Sequence, residues 1–85
     1  MKNPAVLQAF GQHLRQLREQ RGWSQQALAD AADVSKPTIY RLETARYSAT
    51  LDLLASLAQG LEIPLVELVG FEVPAGPLTS ATPTS

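Results

Sequence analysis

The chain has 85 residues, no cysteine, 45% hydrophobic residues and a net charge of −1. That length supports one domain, the apolar fraction is too high for a disordered chain, and without cysteine no disulfide can staple the small core. Met1 and Lys2 are not followed by an apolar run, so no secretory signal is expected. Carboxylates at Asp52, Glu62 and Glu67, with breaks at Gly60 and Pro64, argue against a membrane span in residues 51–71.

Pro4 stands at a favoured first helical position, with Asn3 as its cap. Leu7, Phe10, Leu14 and Leu17 then recur on one stripe, which predicts a helix to about Gln20, ended by Gly22. Trp23, directly after the break, is expected to plug the gap between the first two helices.

Residues 24–43, "SQQALADAADVSKPTIYRLE", hold two short amphipathic patterns joined by a tight connection. Leu28, Ala29 and Ala32 fall at helical spacing in the first, and Ile39, Leu42 and Glu43 in the second, with Val34 between them. Ser24 and Ser35 are placed to cap them. Two short helices around such a turn form a helix-turn-helix unit, whose second helix usually lies in the major groove of DNA.

A polar connection, "TARYSAT", leads to Thr50, which caps a helix over "LDLLASLAQ". Leu51, Leu54, Leu57, Ala58 and Leu61 are expected to form its apolar face, with Gly60 near its C-cap. Pro64 opens a short last element over residues 63–69. A helix with Leu65, Leu68 and Val69 on one side fits, but residue alternation also fits a strand, and length alone does not decide. Residues 72–85 are rich in Pro, Gly, Ser and Thr and read as a flexible tail behind a domain of residues 1–71.

Charge is segregated along the chain. Residues 1–47 carry all seven basic side chains against four carboxylates, a net +3, whereas residues 48–85 carry four carboxylates and no base, a net −4. The first half can therefore face phosphates.

Arg18 sits on the apolar stripe of the first helix, and Glu43 on the apolar side of the second helix of the pair. An unpaired charge turned toward a core is costly, so the two are expected to satisfy each other in a structural ion pair. The opposite face of that second helix presents Pro37, Tyr40, Arg41 and Thr44, with Ser35, Lys36 and Thr38 at its start. Arg41 can fork onto the O6 and N7 of guanine, and Lys36 can reach the same atoms. Tyr40 can donate to phosphate or lie on a thymine methyl, while Pro37 offers apolar contact alone. Gln25 and Gln26 stand at a helix N-terminus, where free N–H groups and the helix dipole suit phosphate, and Arg46 is expected to meet phosphate after the second helix.

Residues 10–69 resemble the Cro/cI-type (xenobiotic-response-element) helix-turn-helix domain of phage and bacterial regulators. The resemblance rests on "LRQLREQRGWSQQALADAADVSKPTIYRLE" and "LDLLASLAQGLEIPLVEL". It implies an all-α fold, a compact five-helix bundle of the lambda-repressor-like type. It also implies a salt bridge between Arg18 and Glu43, a phosphate grip at Gln25, and base reading by Lys36, Pro37 and Arg41. Asp33 and Ala45 stand where the family commonly has glycine, Ala49 replaces a common proline, and Pro37 takes a position where a polar reader is more usual.

The expected function is a sequence-specific DNA-binding transcriptional regulator, most often a repressor in this family, acting as a homodimer on a pseudo-palindromic double-stranded operator. Leu61, Ile63, Leu65, Leu68 and Phe71 are the candidate dimer contacts. The alternative is an antitoxin or adaptor that uses the same fold to bind a protein partner. Neither reading involves a membrane, and a cytoplasmic, nucleoid-bound protein is expected. Catalysis is not expected: His13 is the one histidine, placed on the polar side of the first helix without metal partners at ligand spacing, and no glycine-rich phosphate loop occurs. No cofactor or metal is implied.

Overall fold

A computed structural model describes residues 3–73 and contains five helices: α1 (Pro4–Gln20), α2 (Gln25–Ala32), α3 (Lys36–Glu43), α4 (Leu51–Leu61) and α5 (Leu65–Leu68). Most of the expected tail over residues 72–85 lies outside the described residues. No described helix is long and apolar enough to cross a membrane.

Each of the first four helices starts with a side-chain cap. Asn3 Oδ1, Ser24 Oγ, Ser35 Oγ and Thr50 Oγ1 accept from the N–H groups of Val6, Ala27, Thr38 and Leu53, at 3.2, 3.0, 3.3 and 3.1 Å. Pro37 sits in the first turn of α3, where a missing N–H leaves no gap in the helical ladder. The same four helices end alike. Gly22, Asp33, Ala45 and Glu62 adopt left-handed backbone, with φ of 70, 59, 62 and 58°. In each case this residue donates three residues back, and the next N–H donates five residues back, to Arg18, Ala29, Arg41 and Ala58 in turn. This is the Schellman pattern, which satisfies the last carbonyls of a helix.

Only one of the four left-handed positions is a glycine. Ala45 has neither glycine's freedom nor a polar side chain that could bond locally. Ala45→Gly is therefore expected to stabilise the domain by about 0.5–1 kcal/mol, the relief of left-handed strain less glycine's entropy cost. Urea unfolding of the two proteins checks this, and an unchanged midpoint would mean that the loop holds Ala45 without strain.

Leu14, Leu28, Ile39, Leu42, Leu57, Leu61 and Leu68 are fully buried, joined by Phe10, Leu17, Ala29, Ala32 and Ala58. Trp23, Val34, Ile63 and Phe71 flank this core half-buried. Helix α3 packs on both α1 and α2, α2 packs on α4, and α5 closes against α4. Two glycines set the spacing. A Cβ on Gly11 would lie 2.6 Å from the carbonyl oxygen of Leu42, and one on Gly60 would lie 2.8 Å from the backbone of Ala31 and Ala32.

Some sequence expectations are refined or corrected here, and the one left open is decided. Gly60 lies within α4 as a contact point with α2, and Glu62 makes the left-handed turn instead. Leu51 does not join the apolar face of α4 and is 71% exposed. Residues 65–68 are helical, because a strand there would leave backbone groups unpaired while one helical turn satisfies them locally: Pro64 O accepts from Glu67 and Leu68. His13 is not on an open polar face. Its Nε2 lies 2.9 Å from the Glu67 carbonyl oxygen and its ring 5.6 Å from that of Phe71, so it joins α1 to the C-terminal segment.

Candidate nucleic-acid interface

The inner side of α3 is held by Ile39 and Leu42, both fully buried. Helical geometry then turns Lys36, Pro37, Tyr40, Arg41 and Thr44 outward, and all five are exposed. Among the described residues, Lys36, Arg41 and Arg46 make no ion pair and are exposed, so their charges face solvent. Arg46 follows the left-handed residue Ala45, and Tyr47 beside it is 42% exposed, a position the sequence reading passes over.

The short polar side chains of this face are largely committed to the helix. The Ser35 and Thr38 hydroxyls lie 2.8 Å apart, besides the capping role of Ser35. The Thr44 hydroxyl donates to the Tyr40 carbonyl at 2.7 Å. Thr38 is half-buried. At the N-terminus of α2, Gln26 Nε2 donates to Asp30 Oδ1 at 2.8 Å.

Arg18 and Glu43 meet beneath this face as a bidentate pair. Arg18 Nε donates to Glu43 Oε2 at 2.7 Å, and a terminal guanidinium nitrogen donates to Oε1 at 3.0 Å. Their side chains are 10% and 4% exposed. The hydrogen bond to Glu43, above all, raises the pKa of Arg18 further above its ordinary value, against the opposing effect of burial. A third guanidinium donor reaches the Trp23 carbonyl oxygen at 2.7 Å. One side chain of α1 thereby fixes both the segment entering α2 and the end of α3.

Gln25 completes this network in a way the sequence does not suggest. Its Nε2 donates to Glu43 Oε1 at 3.1 Å across 18 positions of chain. Nearby, Arg21 donates to the Leu61 carbonyl oxygen and its guanidinium lies 5.8 Å from the Trp23 ring centroid, so Arg21 ties the end of α1 to α4 and covers the half-buried Trp23.

The expected dimer set divides in two. Leu61 and Leu68 are fully buried in their own subunit and cannot meet a second one without unfolding, because the core of so short a chain needs them. Ile63 and Phe71 are half-buried, Phe71 lying 5.9 Å from the Phe10 ring, and Leu65 is 37% exposed. The large apolar side chains left outside include Leu51, Val66 and Val69.

Comparison with known proteins gives a consistent answer. A family profile described as a helix-turn-helix domain matches residues 9–69. Over 71 residues the chain is 41% identical to the HTH-type transcriptional regulator SutR of Escherichia coli (strain K12), covering 84% of this chain and 36% of that protein. The chain thus spans little more than a third of that relative's length. Among solved structures, the restriction-modification controller protein C.AhdI from Aeromonas hydrophila matches with a TM-score of 0.71 at 34% identity, over 73% of this chain and 94% of that one. The clp gene regulator ClgR from C. glutamicum matches with a TM-score of 0.68 at 30% identity, over 80% and 94%.

Proposed function

The chain belongs to the Cro/cI-type helix-turn-helix family of DNA-binding transcriptional regulators, and from that premise we propose that it is a repressor binding a pseudo-palindromic operator as a homodimer. One observation carries the reading: the inward side of α3 is closed by buried Ile39 and Leu42 and by Glu43 paired to Arg18, while its opposite side holds Lys36, Tyr40 and Arg41 exposed. In this account α3 enters the major groove. Arg41 and Lys36 reach guanine edges, Tyr40 and Pro37 lie near phosphate and thymine methyls, and Gln25, Gln26 and Arg46 hold the flanking phosphates. Ser35, Thr38 and Thr44 border the groove through the lone pairs their own hydrogen bonds leave free.

Two copies would set half-sites about 34–36 Å apart. With Leu61 and Leu68 in the core, the proposed contact surface comprises Leu65 and Val66 on α5, Val69 at its C-cap, Leu51 at the start of α4, and the outer edges of Ile63 and Phe71.

Arg41→Ala is expected to lose discrimination at one or two base positions, about 1–3 kcal/mol each. Arg46→Ala is expected to weaken all sequences alike and to flatten the salt dependence by about one phosphate contact. Competition binding with single-base operator variants at two salt concentrations separates the two roles. Equal loss on every sequence for Arg41→Ala would remove that residue from base reading.

One observation favours a second reading, an antitoxin or adaptor. Asp52, Glu62, Glu67 and Glu72 are all exposed, in a stretch of chain that carries no base, which suits a basic protein partner. An adaptor without DNA function would not bind generic duplex at low salt.

A further inference from the structure

One hydrogen bond at the proposed interface, from Gln25 to the buried ion pair, joins the start of α2 to the end of α3. We propose that Glu43 is a positioning residue for DNA binding, acting through the side-chain amide of Gln25; this rests on the reading that Gln25 faces phosphate.

A carboxylate can only accept hydrogen bonds, and an amide offers donors on nitrogen alone. Glu43 Oε1, 3.1 Å from Gln25 Nε2, therefore fixes which end of the amide turns inward. Glu43 itself cannot swing away, because two nitrogens of Arg18 hold both of its oxygens at 2.7 and 3.0 Å. Arg18 in turn holds the Trp23 carbonyl, one residue before the cap of α2. Both the backbone that carries Gln25 and the acceptor that orients its amide are thus set by one buried group.

One of the two Nε2 hydrogens is spent on Glu43, and the second remains for a phosphate oxygen. A Gln25 amide free to rotate would present its carbonyl oxygen to phosphate in part of its conformations, which repels an anion. The carboxylate removes that alternative before DNA arrives, so less ordering is left for the binding step.

A double-mutant cycle tests this, using affinity for a short mixed-sequence duplex, with each variant verified as folded at the assay temperature by circular dichroism. Gln25→Ala alone is expected to weaken binding about tenfold, the loss of one charge-assisted hydrogen bond. Glu43→Gln keeps the shape of the side chain and is expected to weaken binding by a comparable factor in the wild-type background, but by less than about twofold once Gln25 is alanine. Additive losses would overturn the proposal and leave Glu43 with a structural role alone. No effect of Gln25→Ala would instead remove Gln25 from the phosphate contacts.

Should Glu43→Gln fail to fold, nuclear magnetic resonance of the wild-type protein decides. Of the two Gln25 amide protons, one is expected to be protected from solvent exchange, and the other to shift when duplex is added. Two protons exchanging at the rate of a free amide would refute the proposal.

Discussion

Glu43→Ala is expected to destabilise the domain by about 3–5 kcal/mol. The substitution leaves the Arg18 guanidinium in a site where its side chain is 10% exposed, with its carboxylate partner gone. Stability of about 0.05–0.15 kcal/mol per residue leaves a chain of this size little margin, so such a loss brings it close to unfolding. The melting temperature should fall by about 4–8 °C for each kcal/mol. Thermal melts of Glu43→Ala, Arg18→Met and the double variant Arg18→Met, Glu43→Leu give the answer. The double variant should be far less damaged than Glu43→Ala, because replacing both charges by apolar groups leaves no charge stranded. The exposed pair Arg15–Glu19, 2.9 Å apart on the surface of α1, sets the scale for comparison. Breaking it should cost about 0.3–0.5 kcal/mol.

The second large effect is expected at Gly60 and Gly11. Helix propensity alone favours alanine over glycine by about 1 kcal/mol at either place. The contacts reverse that sign. At Gly60 a Cβ would stand 2.8 Å from the Ala31 carbonyl carbon and the Ala32 nitrogen, and at Gly11 it would stand 2.6 Å from the Leu42 carbonyl oxygen. These neighbours are helix backbone, so relief requires a whole helix to move. Either alanine should therefore destabilise by about 1–3 kcal/mol or more, measured by urea unfolding. Gly11→Ala should also weaken DNA binding of the folded fraction, since the atoms it meets belong to α3. A stabilising effect at both sites would mean that the helices lie farther apart than described.

Much of the fold is legible in the sequence because its signals are local. Ser24, Ser35 and Thr50 are residue types that cap, and each stands directly before a run of apolar residues at helical spacing. Arg18 and Glu43 stand out because each interrupts an otherwise apolar stripe, and their pairing follows from the cost of leaving either alone.

The features that escape sequence reading depend on what lies across from a residue. Val66 and Leu68 look alike in sequence, yet Leu68 fills the core and Val66 is 72% exposed. A helix of four residues is too short for periodicity to separate them. Gly60 reads as a helix stop, but its use is a close approach to α2, a partner almost 30 positions earlier in the chain. The stop is made by Glu62, which carries no left-handed signal of its own. On the proposed interface, the outward residues of α3 follow from the inward ones, since a helix has two sides. The bond from Gln25 to Glu43 could not be anticipated, because it requires the start of α2 to lie beside the end of α3.

The central claim is that the exposed side of α3 reads duplex DNA, and selecting bound duplexes from a random library with the intact chain tests it most directly. Enrichment of a two-fold symmetric sequence with half-sites about one helical turn apart is expected, lost or altered at one or two positions when Arg41→Ala is used. Failure to enrich any sequence at low salt, or an unchanged preference with both Lys36 and Arg41 replaced by alanine, would contradict it.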